Sequence, residues 1–117
     1  MPRRDPGEPY YRISVDEALE LYGDDDVVVV DVRRPDEYEA GHVKGALHIP
    51  VDDVLARIEE LPTNKRLLFI CAAGVRSGLA CEMASAMGIE TENLFNIEDG
   101  TGPWIDRGLP TSYGDEV

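Results

Sequence analysis

Leu67-Leu68-Phe69-Ile70-Cys71-Ala72-Ala73-Gly74-Val75-Arg76-Ser77 is the stretch from which the rest of the chain is read. Leu67 to Ile70 are apolar without a break, as in a strand covered on both faces, and the run ends on a cysteine. A short loop then closes on Arg76, and a helix is expected from Ser77 or Gly78 to Met87, ending at Gly88. A sulfur at the mouth of such a loop meets converging backbone N–H groups, a helix N-terminus and a guanidinium. Each of these favours thiolate over thiol.

The same alternation extends outward. Val27-Val28-Val29-Val30-Asp31-Val32 is a nearly continuous β-branched run, suited to a strand buried on both faces. Tyr10–Ile13 reads as a short edge strand, Ala46–Ile49 as a short strand halted by Pro50, and Leu94–Ile97 as the last strand. Ser14-Val15-Asp16-Glu17 fits a capping box, opening a helix over about residues 15–22 with Val15, Ala18, Leu19 and Tyr22 on one face. Pro35 opens a short helix that Gly41 ends, and Pro103–Asp106 reads as another. Val51–Leu61 carries Val54, Leu55, Ile58 and Leu61 at helical spacing. Strands alternating with helices predict an α/β domain on a mostly parallel, five-stranded sheet. Ligands in such sheets bind beyond the carboxyl ends of the strands, where Cys71 falls. The domain is expected over residues 10–112, between a flexible N-terminal arm (1–9) and a flexible C-terminal tail (113–117).

At 117 residues the chain holds one domain, and its 43% hydrophobic content is that of an ordinary globular protein. No apolar run approaches the roughly 20 residues of a membrane span, and residues 1–7 lack the apolar core of a secretory signal, so a cytoplasmic location is expected. The net charge of -13, from 24 acidic against 11 basic residues, disfavours nucleic acid and anionic membranes as partners. Nine of those basic residues are arginine; solubility is the simpler reading of this balance, and a salt-adapted host the other. Cys71 and Cys81 are too few for a secreted disulfide scaffold. His42 and His48 lie far from both in sequence, so free thiols and no bound metal are expected.

Cys71-Ala72-Ala73-Gly74-Val75-Arg76-Ser77 resembles the Cys-x-x-Gly-x-Arg-Ser active-site loop of single-domain members of the rhodanese family of sulfurtransferases. Asp31-Val32-Arg33, Glu37-Tyr38, Gly41-His42-Val43 and Gly45-Ala46-Leu47-His48-Ile49-Pro50 resemble that family's upstream signature. Trp104 with Gly108-Leu109-Pro110 resembles its closing segment, and Glu98-Asp99-Gly100-Thr101 stands where many relatives carry a Gly-Gly pair. The resemblance implies a rhodanese-like three-layer sandwich with helices on both faces of the sheet. It implies a catalytic Cys71 that takes sulfane sulfur from thiosulfate, polysulfide or a persulfide donor. The sulfur then passes to cyanide, a thiol or a sulfur-relay protein by double displacement, without metal or organic cofactor.

The residues support this chemistry in their own right. Ala72, Ala73, Gly74, Val75, Arg76 and Ser77 form a small cradle whose N–H groups can point at one terminal sulfur, and Gly74 permits the positive φ that a tight cradle needs. Arg76 either orients an anionic donor or braces the loop. Cysteine phosphatases place five residues between Cys and Arg, whereas four stand here, a contraction that suits one sulfur better than a phosphoryl group. Cys81 reads as a core residue rather than a resolving thiol. Asp31 and Arg33 should lie near the rim of the pocket, either tuning its charge or forming a structural ion pair that could include Glu37. His42 and His48 read as architectural rather than as general acids or bases, and Trp104 as a core or lid residue. Two other classes stay open: a persulfide carrier fed by a partner protein, and a non-catalytic interaction module.

Overall fold

The computed structural model describes residues 2–117. In chain order the elements are β1 (Tyr11–Ile13), α1 (Val15–Leu21), β2 (Val27–Asp31), α2 (Pro35–Glu39), β3 (His42–Val43), β4 (Leu47–His48), β5 (Arg66–Ile70), α3 (Val75–Ala86), β6 (Leu94–Ile97), α4 (Thr101–Asp106) and β7 (Thr111–Ser112). Five strands form one sheet in the order β1-β6-β5-β2-β4, with every pairing parallel, while β3 and β7 pair antiparallel beside it.

The unbroken apolar runs explain why β2 and β5 lie inside the sheet, since residues on both faces of each strand need cover. Leu67 and Phe69 join one core with Val30, Leu94, Ala80, Cys81 and Ala84, so α3 covers that face. Leu68 and Ile70 face the other core with Val29, Ile97, Val15, Ala18 and Trp104, under α1 and α4. Leu67, Leu68, Phe69 and Ile70 are fully buried, each side chain contributing about 1.5–3 kcal/mol of hydrophobic stabilisation. The sheet is thus the middle of three layers. The capping box of α1 is present: the Glu17 N–H donates to Ser14 Oγ (3.1 Å) and the Ser14 N–H to Glu17 Oε1 (2.9 Å).

Several elements differ from expectation: α4 begins at Thr101 rather than Pro103, and the β3–β7 pair is one that the sequence pattern does not announce. Helix α3 begins at Val75 rather than at Ser77 or Gly78, because Gly74 takes the N-cap place at φ +89°. The expected helix over Val51–Leu61 is instead two separate 3-10 turns, Val51–Asp53 and Ile58–Glu60. Val54 and Leu61 still reach the core, but Leu55 is left 49% exposed. An eleven-residue segment between prolines has little helical cooperativity, and Arg57 leaves the α region (φ -111°) to bond Glu60 and the His48 carbonyl.

Among the described residues, segments near both ends hydrogen-bond to the domain. Arg3 pairs with Arg12 in a short antiparallel bridge, and Glu8 accepts from Arg12 and Tyr10. Met1, part of the expected arm, lies outside the described residues. In the tail the Gly114 N–H donates to Glu39 O, and Ser112 Oγ to Val117 O.

Candidate active site

Strand β5 ends at Ile70, so Cys71 is the first residue beyond its carboxyl end, between neighbours β2 and β6. The chain turns immediately, and the turn is held from behind. Cys71 O accepts both the N–H and the hydroxyl of Thr101, each at 3.0 Å. The two glycines leave no room for a side chain: a Cβ at Gly74 would stand 2.8 Å from Glu98 O, and one at Gly100 only 1.9 Å from Ala72 O. The loop thereby folds back over its own cysteine. The Gly74 N–H donates to Cys71 Sγ at 3.1 Å, and Ser77 Oγ lies 3.2 Å from the same sulfur. Burial pushes the Cys71 thiol up, but the Ser77 hydroxyl and the N–H groups of Ser77, Ala73 and Gly74 outweigh it and hold the pKa below that of an ordinary thiol.

The Arg76 guanidinium hydrogen-bonds Glu37. Its two terminal nitrogens grip Glu37 of α2 at 2.6 and 2.9 Å, a bidentate pair that draws Glu37 down to about 2. This pair braces the loop end of α3 against α2. Asp31 is fully buried and closed by Arg33, whose guanidinium also donates to Gly41 O at 2.8 Å. This pair anchors β2 to the end of α2 rather than lining the pocket, and Glu37 is not a member of it. An open groove of about 550 Å³ flanks the loop, lined by Tyr10, Arg12, Ala73, Gly74, Val75 and Glu98 among others. Arg12 there is spoken for by Glu8.

A family model for the rhodanese-like domain matches residues 14–107. The chain belongs to this family. It is 32% identical to an HTH-type transcriptional regulator of Mycobacterium tuberculosis, over 93% of this chain and 50% of the regulator. It is 31% identical to a sulfurtransferase of Allochromatium vinosum, over 74% of this chain and 78% of that one. A rhodanese-related protein from Thermoplasma volcanium superposes with a TM-score of 0.76 at 30% identity, covering 86% of this chain and 96% of its own. The chain spans 44–59% of the length of the first three curated relatives that it matches.

Within this rhodanese-like domain the remaining residues fall into place. His42 and His48 sandwich the Tyr38 ring at 3.6 and 4.1 Å and bond backbone carbonyls, well occupied as architecture. Trp104 is fully buried under the sheet, its Nε1–H donating to Pro110 O, so it packs the core and does not form a lid. Cys81 is enclosed in the α3 core, and burial pushes its thiol well above the ordinary range, which leaves it inert. No group of three or more His, Cys, Asp or Glu is placed to hold a metal among the described residues.

Sequence reasoning missed three residues: Glu37 as the brace of Arg76, Thr101 on the Cys71 carbonyl, and Asn96 of β6. Asn96 is 1% exposed, accepts from Ser77 Oγ at 2.6 Å and donates to Gly74 O at 3.0 Å. Its signal was present, for an amide at a core-facing position of an otherwise apolar strand must find partners.

Proposed function

We propose that this domain is a sulfurtransferase working through a Cys71 persulfide. The observation that carries the reading is the single sulfur atom held between the Gly74 N–H and the Ser77 hydroxyl at a strand end, in a loop one residue shorter than that of the cysteine phosphatases. The Cys71 thiolate attacks the outer sulfur of a donor such as thiosulfate, polysulfide or a persulfide; the donor's bond to that sulfur breaks, and its remainder leaves with the electron pair. The charge then rests on the terminal sulfur, where loop N–H groups and the start of α3 stabilise it. Cyanide, a thiol or a partner protein removes that sulfur and returns Cys71 to thiolate. Both cysteines are free thiols, which suits a reducing compartment such as the cytoplasm.

One observation favours the version in which a partner protein supplies the sulfur. Thiosulfate is a dianion, yet the cations near the loop are paired: Arg76 with Glu37, Arg12 with Glu8, Arg34 with Asp36 and Arg3 with Glu98. A neutral or protein-bound donor meets no such handicap. The test is intact-protein mass spectrometry after incubation with thiosulfate, and separately with polysulfide, on wild type and Cys71→Ser. A gain of one sulfur, lost to cyanide and absent from the variant, is expected. A gain that persists in Cys71→Ser would overturn the assignment; uptake only from a persulfidated protein would establish the carrier.

A further inference from the structure

The Ser77 hydroxyl carries one hydrogen, and two atoms compete for it. Cys71 Sγ lies 3.2 Å from Ser77 Oγ on one side, and Asn96 Oδ1 lies 2.6 Å away on the other. The amide of Asn96 cannot turn to relieve the competition. Its Nδ2 donates to Gly74 O at 3.0 Å, and a flip would set two oxygens against each other. All three side chains are buried: Ser77 fully, Cys71 and Asn96 to within 1%. No solvent stands ready to satisfy whichever acceptor is left without the hydrogen.

We infer that Asn96 is a positioning residue for sulfur transfer, holding the Ser77 hydrogen whenever Cys71 Sγ is uncharged and releasing it to Sγ only while the sulfur is an anion. With the hydrogen on Asn96, the Ser77 oxygen offers a lone pair to Sγ, which matches an S–H. When Cys71 ionises, the hydroxyl swings to the sulfur and Asn96 Oδ1 loses its donor. When the thiolate attacks the outer sulfur of a donor, a new S–S bond forms, the donor's bond to that sulfur breaks, and the leaving group departs with the electron pair. The negative charge has then moved one atom outward, onto the terminal sulfur. Sγ is neutral again, and the hydrogen returns to Asn96. The device therefore favours both the resting thiol and the loaded persulfide over the bare thiolate between them. It rests on the sulfurtransferase reading for its purpose, but its operation shows in the thiol alone.

The charged and titratable groups nearby on the surrounding elements include Asp31 at the end of β2, Arg76, Cys81 and Glu82 on α3, Arg12 on β1 with Tyr10 beside it, Glu37 on α2 and Glu98 beyond β6. They are common to every variant below, so differences in titration report the Ser77–Asn96 pair.

The test is the rate of Cys71 alkylation by iodoacetamide against pH, with the site of labelling read by peptide mass spectrometry. Ser77→Ala removes the donor, and the Cys71 pKa rises by about one unit. Asn96→Leu, close in volume, removes the competitor and frees the hydroxyl for the sulfur, and the pKa falls by about one unit. Gly74 O keeps the Gly78 N–H at 3.2 Å in that variant. Because Asn96 acts through Ser77, the double variant titrates like Ser77→Ala alone. An Asn96→Leu pKa that rises or stays unchanged, or an Asn96 effect that survives in the Ser77→Ala background, would overturn the inference and leave a merely structural amide. If Asn96→Leu fails to fold, Asn96→Ala decides, since it removes the same competing acceptor and must lower the pKa. As a second readout, persulfidated Asn96→Leu releases its sulfur to cyanide about threefold faster or more, because a more stable thiolate leaves faster. Failure to form any persulfide would sink the sulfur-transfer reading while the titration still answered for the switch.

Discussion

Gly100 shows how much depends on one missing Cβ. Its backbone (φ +84°, ψ -174°) lies where essentially only glycine goes, and an added Cβ would overlap Ala72 O at 1.9 Å, inside the loop that carries Cys71. Gly100→Ala is expected to cost about 3 kcal/mol or more in urea unfolding and to slow sulfur loading with it. Gly102, two residues on and inside α4, has no positive φ and nothing within 4 Å of an added Cβ. Gly102→Ala is therefore expected to be neutral or stabilising by about 0.5–1 kcal/mol in the same measurement. The sequence shows two glycines in one turn. Only the approach of the Cys71–Ala73 backbone distinguishes them.

Between elements, the decisive contact is Arg76 of α3 on Glu37 of α2. Because Glu37 is drawn from 4.5 down to about 2, the folded state binds fewer protons than the unfolded chain through that range. The contribution is complete above the unfolded value of 4.5 and drains away as pH falls through about 2. The pair is partly exposed, so about 1 kcal/mol is at stake rather than the full shift. Urea midpoints of wild type should fall on acidification from pH 6 to pH 3, and Glu37→Gln should lose that portion of the dependence. An Arg76→Lys variant breaks the fork but removes nothing from the sulfur. Its persulfide loading should drop by less than about tenfold in the mass-spectrometric assay; a far larger loss would mean that the guanidinium binds the donor itself.

At the scale of the whole molecule, charge governs which donors arrive. The extents of 33 × 32 × 26 Å are comparable with the Debye length of about 30 Å at 10 mM salt, so most of the net -13 is felt at the loop. Thiosulfate loading is expected to rise several-fold as salt increases from about 10 to about 300 mM, while loading from an uncharged organic trisulfide stays nearly constant. Stopped-flow or quenched mass spectrometry reads both; thiosulfate loading that falls with salt would point to a cationic docking site at the mouth. The sheet itself was largely legible, with Leu94–Ile97 matching its strand, Val27–Val32 running one residue beyond Val27–Asp31, and Leu67–Cys71 shifted by one residue from Arg66–Ile70. The segment Val51–Leu61 was not, because helical spacing records which residues are apolar and not whether a short stretch has enough cooperativity to close its hydrogen bonds.

What the sequence determined by itself was local. Continuous apolar runs demanded buried parallel strands, Ser14 and Glu17 demanded a cap, and four residues between Cys71 and Arg76 demanded a tight loop. The tertiary structure decided every pairing across the sheet: Arg76 with Glu37, Thr101 with the Cys71 carbonyl, and Asn96 with Ser77. Those partners stand 39, 30 and 19 residues apart. Local patterns carry periodicity and permitted φ, which need no knowledge of distant chain. Which polar group meets which depends on strand order, and strand order is settled only when both faces of the sheet are buried at once.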